Sequence, residues 1–375
     1  MQNRILTYFD KRYTYCHIAI LLTVLAMVWY AKVGLQWWDF PGQQTICKYV
    51  IGGVNPYIPH SGAFLAQHHL PPIPYGWSTT PWGTVLGIPF YGGMLTLTQG
   101  QMLYLVMVIA TYALFTLAVW KMCKQHRYAA LVTCVLGMIN YFRVMTGGNI
   151  GGMLCIFILF SAMLRDRCML LSAICLALAM IKPQVALLFC LFLLYEKKYG
   201  VLLMAAAIDI AAWGIAAMLT HTSMLTLLHD FLLCPVGAAQ HQFYGIATML
   251  SPLLPDAKTT MYLSMLCGVS FAWLLRRYGI ESFLLATTFW CYSFGNEFTI
   301  LLPVVYMAIT RRNIVLAAWA SLATLICIFM EKLLVPLFAD DARIVAMTAY
   351  LLILIAIYLW TLRHQRLQKI FELKR

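Results

Sequence analysis

Charge is what this chain has least of. Only 10% of its 375 residues are charged, and Asp and Glu together number 13 against 26 Lys and Arg. A composition that is 62% hydrophobic, arranged in long apolar runs, leaves too little polar material to cover a soluble fold of this length. The net charge of +13 would suit a polyanion, but the basic residues stand in short clusters between apolar runs. That distribution is the footprint of membrane topology and argues against a nucleic-acid-binding face. The 12 cysteines include no Cys-x-x-Cys pair and no Cys/His spacing of the zinc type, which excludes a zinc ribbon or a thioredoxin-like redox site. Most of them lie inside apolar runs, where a thiol is a small apolar filler. Metal chemistry has equally little to work with. "FADDAR" holds adjacent carboxylates at Asp340 and Asp341, yet no Asp-x-Asp pair occurs anywhere. Low-complexity linkers and clear internal repeats are also missing.

What is present is a topology. The basic clusters are Arg4/Lys11/Arg12, Lys121/Lys124/Arg127, Arg165/Arg167, Lys197/Lys198, Arg276/Arg277, Arg311/Arg312 and Arg363 through Arg375. If all face the cytoplasm, the membrane is crossed an even number of times between each pair. Spans near 17–33, 101–120, 128–144, 150–164, 168–181, 184–196, 200–218, 258–275, 280–294, 298–310, 313–330 and 344–362 satisfy that condition. The expectation is an all-α integral membrane protein of about twelve transmembrane helices with both termini inside. A single membrane domain then covers 1–375, with outer loops at 34–100 and 219–257 and a third around 331–343. The first run follows Arg4, Lys11 and Arg12 without a small-residue cleavage site, so it reads as a retained anchor. Several runs are short for a crossing, and 168–181 with 184–196, joined by "KPQ", reads as a broken hairpin. Cys47 and Cys234 both fall on the outer side of this map, as two free or lipid-facing thiols or as a disulfide.

The outer segment 34–100 is rich in Trp, Tyr, Pro and Gly, and apart from histidines its only charged residues are Asp39 and Lys48. "GQQTICKYVIGG" has the spacing of an amphipathic helix lying in the interface, and "TPWGTVLGIPFYGGMLTL" suits a second interfacial or re-entrant helix. Trp37 and Trp38 fit an aromatic belt at the outer end of the first span.

Ionisable groups at membrane depth cost about 3 kcal/mol each on insertion scales, so each raises a functional question. The outer face gathers Asp39, Arg143, Lys182, His241 and Glu297, each beside a helix end or a Pro/Gly break. A carboxylate among cations can take a proton while the cations meet developing phosphate charge. Asp39 reads either as such a base or as the cap of a helix starting near Pro41. Lys182 precedes Pro183, which favours leaving the helical region; it reads as a phosphate ligand or as a lysine snorkelling to outer headgroups. Arg143 offers the forked donors phosphate favours, or a simple anchor. Asn149 follows two glycines at a helix start, where backbone N–H groups can meet an anion. His68 and His69 read as lining of an acceptor groove or as plain loop histidines. Asp209, nearer the cytoplasmic half, reads as structural.

These residues sit in motifs that resemble a known family. "WWDF…GGVNPYIP" resembles the opening of polyprenyl-phosphate-sugar-dependent glycosyltransferases with the GT-C fold, glycosyltransferase family 87 in particular. In that family an Asp follows the first span and a Gly-x-x-Pro-Tyr-like element, ending here at Tyr57, comes soon after. The likeness continues through "TPWGTVLGIPF", "MTGGNIGGMLCIFILFSAMLRDR", "LALAMIKPQVALLFCLFLLYEKK", "QHQFYGIATMLSPLLP" and "SFGNEFTILLPVVY", in order over most of the chain. It implies that Asp39 is the base that deprotonates the acceptor hydroxyl. Beside that base, the residue readings above make Lys182 and Arg143 the expected donor-phosphate ligands and place Asn149 and His69, with Tyr57 of the Gly-x-x-Pro-Tyr-like element, in the expected substrate site. His241, Gln242 and Tyr244 stand where the family often has an Asn-Gln-Ser-like element lining the sugar and phosphate pocket, with His241 departing from it. Glu297 stands where the family often carries a Trp-x-His-His-like segment, as a sugar ligand or as a partner of Lys182 or Arg143.

The resemblance further implies transfer of mannose or another hexose from a polyprenyl-phosphate carrier to a glycan or glycolipid hydroxyl, with inversion. The reaction would occur on the outer face of a bacterial inner membrane. The partners would be the lipid-linked donor, the acceptor and the bilayer, with no nucleic acid. No cofactor or metal is expected, because a phosphate monoester leaves without one. The alternative is a multi-span transporter or flippase for a lipid-linked saccharide, which should show repeat symmetry and matching broken helices.

Overall fold

The computed structural model describes residues 37, 39–72, 79–122, 147–233, 257–276 and 279–287, with short stretches at 253, 335–338 and 345. Among these residues every regular element is helical and none is a strand. The helices are α1 (Phe40–Ile51), α2 (Gly62–Gln67), α3 (Pro81–Tyr91), α4 (Leu97–Met122), α5 (Gly151–Leu164), α6 (Met169–Ala179), α7 (Pro183–Tyr195), α8 (Tyr199–Leu219), α9 (Met224–Leu233), α10 (Ala257–Leu275) and α11 (Ile280–Thr287), followed by one turn at Val335–Phe338. Each described helix from α4 onward matches an expected run to within a few residues, apart from α9 and the last turn, which lie in expected outer loops. The expected spans near 17–33, 128–144, 298–310 and 313–330, and nearly all of 344–362, lie outside the described residues.

Among the described residues two helices are long and apolar enough to cross a membrane: Leu97–Leu117 within α4, and all of α8. A helix that is apolar all round is either enclosed by protein or surrounded by lipid. Only 39% of the α4 window and 28% of the α8 window is buried inside the protein, so most of each helix faces outward. The outward residues are large and apolar, among them Met102, Val106 and Leu114 on α4 and Leu203, Ile210 and Met218 on α8. That is the pattern expected of a bilayer span rather than a soluble core helix.

Helices α5 to α8 run up and down through short connections. One end carries the connections 165–168 and 196–198, where Arg165 pairs with Glu196 at 3.3 Å and Lys198 with Asp166 at 2.5 Å. Arg165 also lies over the Phe192 ring. Trp273 of α10 packs against Tyr195 at the same end, and the Arg276 guanidinium sits 4.4 Å over the Trp273 ring. Three of the basic clusters therefore share one end of the bundle. The Lys198 hydrogen bond, with the nearby Arg165 charge, holds Asp166 below its usual carboxylate range. A depressed carboxylate contributes above its unfolded pKa and loses that contribution as pH falls through the folded value.

The opposite end is built differently. α5, α6 and α7 have 14, 11 and 13 residues, against 21 in α8. At 1.5 Å per residue, α7 stops about 12 Å short of the far end of α8. α1 and α3 fill that recess. α3 packs on α8 through the Trp82–Trp213 ring contact and caps the α6–α7 break. Trp82 Nε1 donates to the Met180 carbonyl at 2.9 Å, and Thr80 Oγ1 to the Ile181 carbonyl at 3.3 Å.

α1 departs from the expected two-faced interfacial helix: all its residues but Pro41, Lys48 and Ile51 are buried. Its polar side chains are enclosed because each has a partner. Gln44 Nε2 donates at 3.3–3.4 Å to the carbonyls of Gly92, Leu95 and Thr96, which follow α3, and Gln43 Oε1 accepts from Thr79 Oγ1 at 2.9 Å. Cys47 is likewise buried and free, its Sγ donating to the Thr84 carbonyl, and burial pushes the thiol up to about 12. It does not face lipid; Cys234 lies outside the described residues.

Two outcomes check this packing. Gly83 sits where a Cβ would stand 2.9 Å from the Ile181 carbonyl oxygen, so Gly83→Ala should lower stability by about 1–3 kcal/mol in detergent melts. Gly214→Ala meets nothing within 4 Å and should cost nothing. At the basic end, Asp166→Asn should lower the melting temperature slightly at neutral pH and have no effect once the wild-type carboxylate is protonated, as measured by melts across pH.

Candidate functional site

Asp39 occupies the N-cap position of α1, with φ −91° and ψ −25°, and its side chain makes no capping hydrogen bond. Pro41 in the first turn removes one of the N–H groups that a cap would satisfy. The carboxylate turns instead to Asn149, whose Nδ2 donates to Asp39 Oδ2 at 2.8 Å. The backbone is clamped as well, since the Asp39 N–H donates to the Gly147 carbonyl at 2.8 Å. Of the two readings of Asp39, the cap is therefore not made.

Lys182 has φ −119° and ψ 93°, the extended conformation that the following proline imposes. Its side chain is only 4% exposed, so it does not snorkel to a headgroup surface. Nζ donates to Asn149 Oδ1 at 2.8 Å. An ammonium this enclosed costs several kcal/mol unless polar groups surround it.

Asn149 joins the two. Oδ1 accepts from Lys182 Nζ and, at 2.8 Å, from the Gly151 N–H at the start of α5, while Nδ2 faces the carboxylate. That donor and acceptor pattern fixes which way the amide points. The Asn149 main-chain carbonyl accepts from Tyr104 Oη at 3.0 Å, tying it to α4. The N–H expected to be open to an anion at this helix start is, at Gly151, used by the Asn149 side chain. Asp39 and Lys182 bond to opposite ends of one amide and stand no more than about 8 Å apart.

An aromatic wall backs the carboxylate. Phe40, fully buried, meets Trp37, Tyr91 and Tyr104 at 5.5–5.6 Å between ring centroids. Trp37 thus packs inward on the site, while Trp38 lies outside the described residues. Burial pushes the Tyr91 hydroxyl well above its usual range, and the charges of Tyr104, Cys47 and Asp39 would add to the effect. Tyr91 therefore stays a neutral phenol beside the carboxylate and does not compete with it for a proton.

Other expected residues fall elsewhere. Tyr57 is buried in a separate cluster against Phe231, its hydroxyl donating to the Thr79 carbonyl at 2.9 Å. The neighbouring Asn55 donates to Asp230 of α9 at 2.8 Å, so the Asn-Pro-Tyr stretch is clamped to the segment that carries α9. His69 is exposed at a positive φ of 53°, and His68 is exposed and packs on Phe64. Asp209 lies midway along α8 with Oδ1 enclosed and without a partner. Arg143, His241, Gln242, Tyr244, Glu297, Asp340 and Asp341 lie outside the described residues. Among the described residues no three His, Cys, Asp or Glu side chains converge as metal ligands would. Tyr104 and the Asn55–Asp230 link had no signal in the sequence, since a tyrosine in an apolar helix and an Asp beside a His resemble ordinary filler and loop residues.

Comparison with protein-family models, with curated proteins and with solved structures finds no match for this chain.

The loop that presents Asn149 depends on Gly148, which has a φ of +68° and whose Cβ would press into Phe40, 2.9 Å from its backbone nitrogen. Gly148→Ala should lower the melting temperature and disturb the Asp39–Asn149 contact, whereas Gly147→Ala, with open space around it, should do so far less. Melts of the two variants side by side check this.

Proposed function

We propose that this chain is an integral-membrane glycosyltransferase of the GT-C type, with about twelve spans, both termini cytoplasmic and its active site toward the outer face. The observation that carries the reading is the Asp39–Asn149–Lys182 string: a half-buried carboxylate and a buried ammonium bonded to the two ends of one amide. Its position supports the reading too. The string lies at the end of the bundle away from the paired basic clusters, in the recess left by short helices, where a lipid-borne headgroup would enter from the side.

In the proposed reaction the donor is a sugar, mannose or another hexose, on a polyprenyl phosphate. The acceptor hydroxyl oxygen attacks the anomeric carbon while the bond from that carbon to the phosphate oxygen breaks. Asp39 takes the hydroxyl proton, and the phosphate monoester leaves with its charge met by Lys182 and Arg143. Attack from the side opposite the leaving group inverts the anomeric configuration. A separation within about 8 Å lets both groups reach one sugar phosphate whose reacting atoms are ~3 Å apart. His241, Gln242, Tyr244 and Glu297 would complete the sugar pocket, and the chemistry requires no cofactor.

The test is a transfer assay on purified chain with a panel of polyprenyl-phosphate sugars. Asp39→Asn should lower turnover at least about 100-fold, and Lys182→Met should also reduce it strongly. Undiminished turnover in Asp39→Asn would remove Asp39 as the base. A wild-type chain that moves a lipid-linked saccharide across vesicles without consuming it would put transport in place of transfer.

A further inference from the structure

At the end of the bundle that carries the connections 165–168 and 196–198, the acids Asp166 and Glu196 are taken up by Arg165 and Lys198. Three cations at that end, Arg167, Lys197 and Arg276, are paired with no carboxylate among the described residues. Two of them sit beside exposed rings. The Arg276 guanidinium lies 4.4 Å over the Trp273 ring, and its Nη1 donates to the Trp273 carbonyl at 2.7 Å, which holds the fork in place. Trp273 in turn meets Tyr195, two residues before Lys197, edge to face at 6.3 Å. Both rings are exposed, at 48% and 43%, and an exposed leucine stands next to each, Leu274 and Leu194.

Lys197 closes α7 at a φ of 58°, with its N–H on the Leu194 carbonyl and the next N–H on the Leu193 carbonyl. Glycine takes that position without steric cost, so the lysine puts an exposed ammonium beside the rings at some expense to the helix end. Cations at the tips of apolar helices, with Trp and Tyr rings and leucines next to them, match a ligand that is anionic at one end and apolar at the other. A soluble polyanion would meet the charges but leave the rings and leucines in water.

We propose that the Tyr195–Trp273 seam between α7 and α10 binds an anionic glycerophospholipid. Arg276 and Lys197 meet its phosphate, and its acyl chains lie along Leu194 and Leu274. Arg276 supplies forked donors and Lys197 a point charge. The inference goes beyond the transfer reading and uses none of its residues; it needs only that α4 and α8 cross a bilayer.

The experiment counts lipids retained by the full chain in native mass spectrometry. The detergent-purified protein is first equilibrated with equal amounts of phosphatidylglycerol and phosphatidylcholine of the same acyl chains. Wild type is expected to keep phosphatidylglycerol in preference by at least about fivefold, and Arg276→Gln and Lys197→Gly should each remove about fivefold of that retention. Arg167→Gln deletes the same charge at the same end, where no ring contact exists among the described residues, and should change retention less than about twofold. Equal losses in all three variants would mean diffuse surface attraction and overturn the proposal, as would the absence of any preference in wild type.

Lys197→Gly supplies the residue that this φ favours, so its melting temperature should be at or above that of wild type while its lipid is lost. Retention unchanged in that stable variant overturns the role of Lys197 whether or not Arg276→Gln folds. Excess glycerol 3-phosphate, the headgroup anion without tails, should leave the bound phosphatidylglycerol in place. Its displacement would make the seam a site for free phosphate esters and overturn the assignment to a lipid.

Discussion

The Asn149 amide bonds to Asp39 at one end and to Lys182 at the other. Its two ends serve an acceptor and a donor, so a single neutral side chain holds a carboxylate on α1 and an ammonium before α7 at a set separation. Everything nearby supports that placement. Gly147 and Gly148 bring the Asn149 loop against the backbone of Asp39 and Phe40, and Tyr104 ties the same loop to the long helix α4. A neutral bridge costs less to bury than a third charge would, and it leaves the net charge of the string at zero.

The string has a place to sit because neighbouring helices differ in length. α5 to α7 stop short of α8 at one end, and an apolar chain cannot leave backbone carbonyls exposed in such a recess. α3 meets that need from the side, with Trp82 and Thr80 donating to the Met180 and Ile181 carbonyls just beyond α6. α1 meets it again for α3, through the Gln44 amide on the carbonyls beyond the α3 terminus. Each layer satisfies the orphan groups of the one before it, and the innermost layer carries Lys182.

Part of this was legible in the residues. Period and apolarity located the helices from α4 to α8 within a few residues, because a helix in an apolar setting needs little beyond an uninterrupted run. Proline identity foretold the extended backbone at Lys182, since ring sterics act on the preceding residue whatever the fold. The basic clusters foretold that 165–167, 197–198 and 276 share one end, and the ion pairs and ring contacts there agree. What could not be read was enclosure. Gln43 and Gln44 look like the wet face of an interfacial helix, and only partners 36 to 52 positions away make them interior.

The sequence by itself determined that this is a helical, lipid-compatible chain with a single acid between positions 34 and 100, because composition and period act locally. Which amide would stand between Asp39 and Lys182 was decided only by the tertiary structure. Positions 39, 149 and 182 come from three separate stretches, and their chemistry depends on separations of a few ångströms that no spacing along the chain encodes. Asp39 before Pro41 fits a helix cap as well as a free carboxylate. The contact with Asn149, 110 residues away, is what directs the side chain off its own helix and toward a cation.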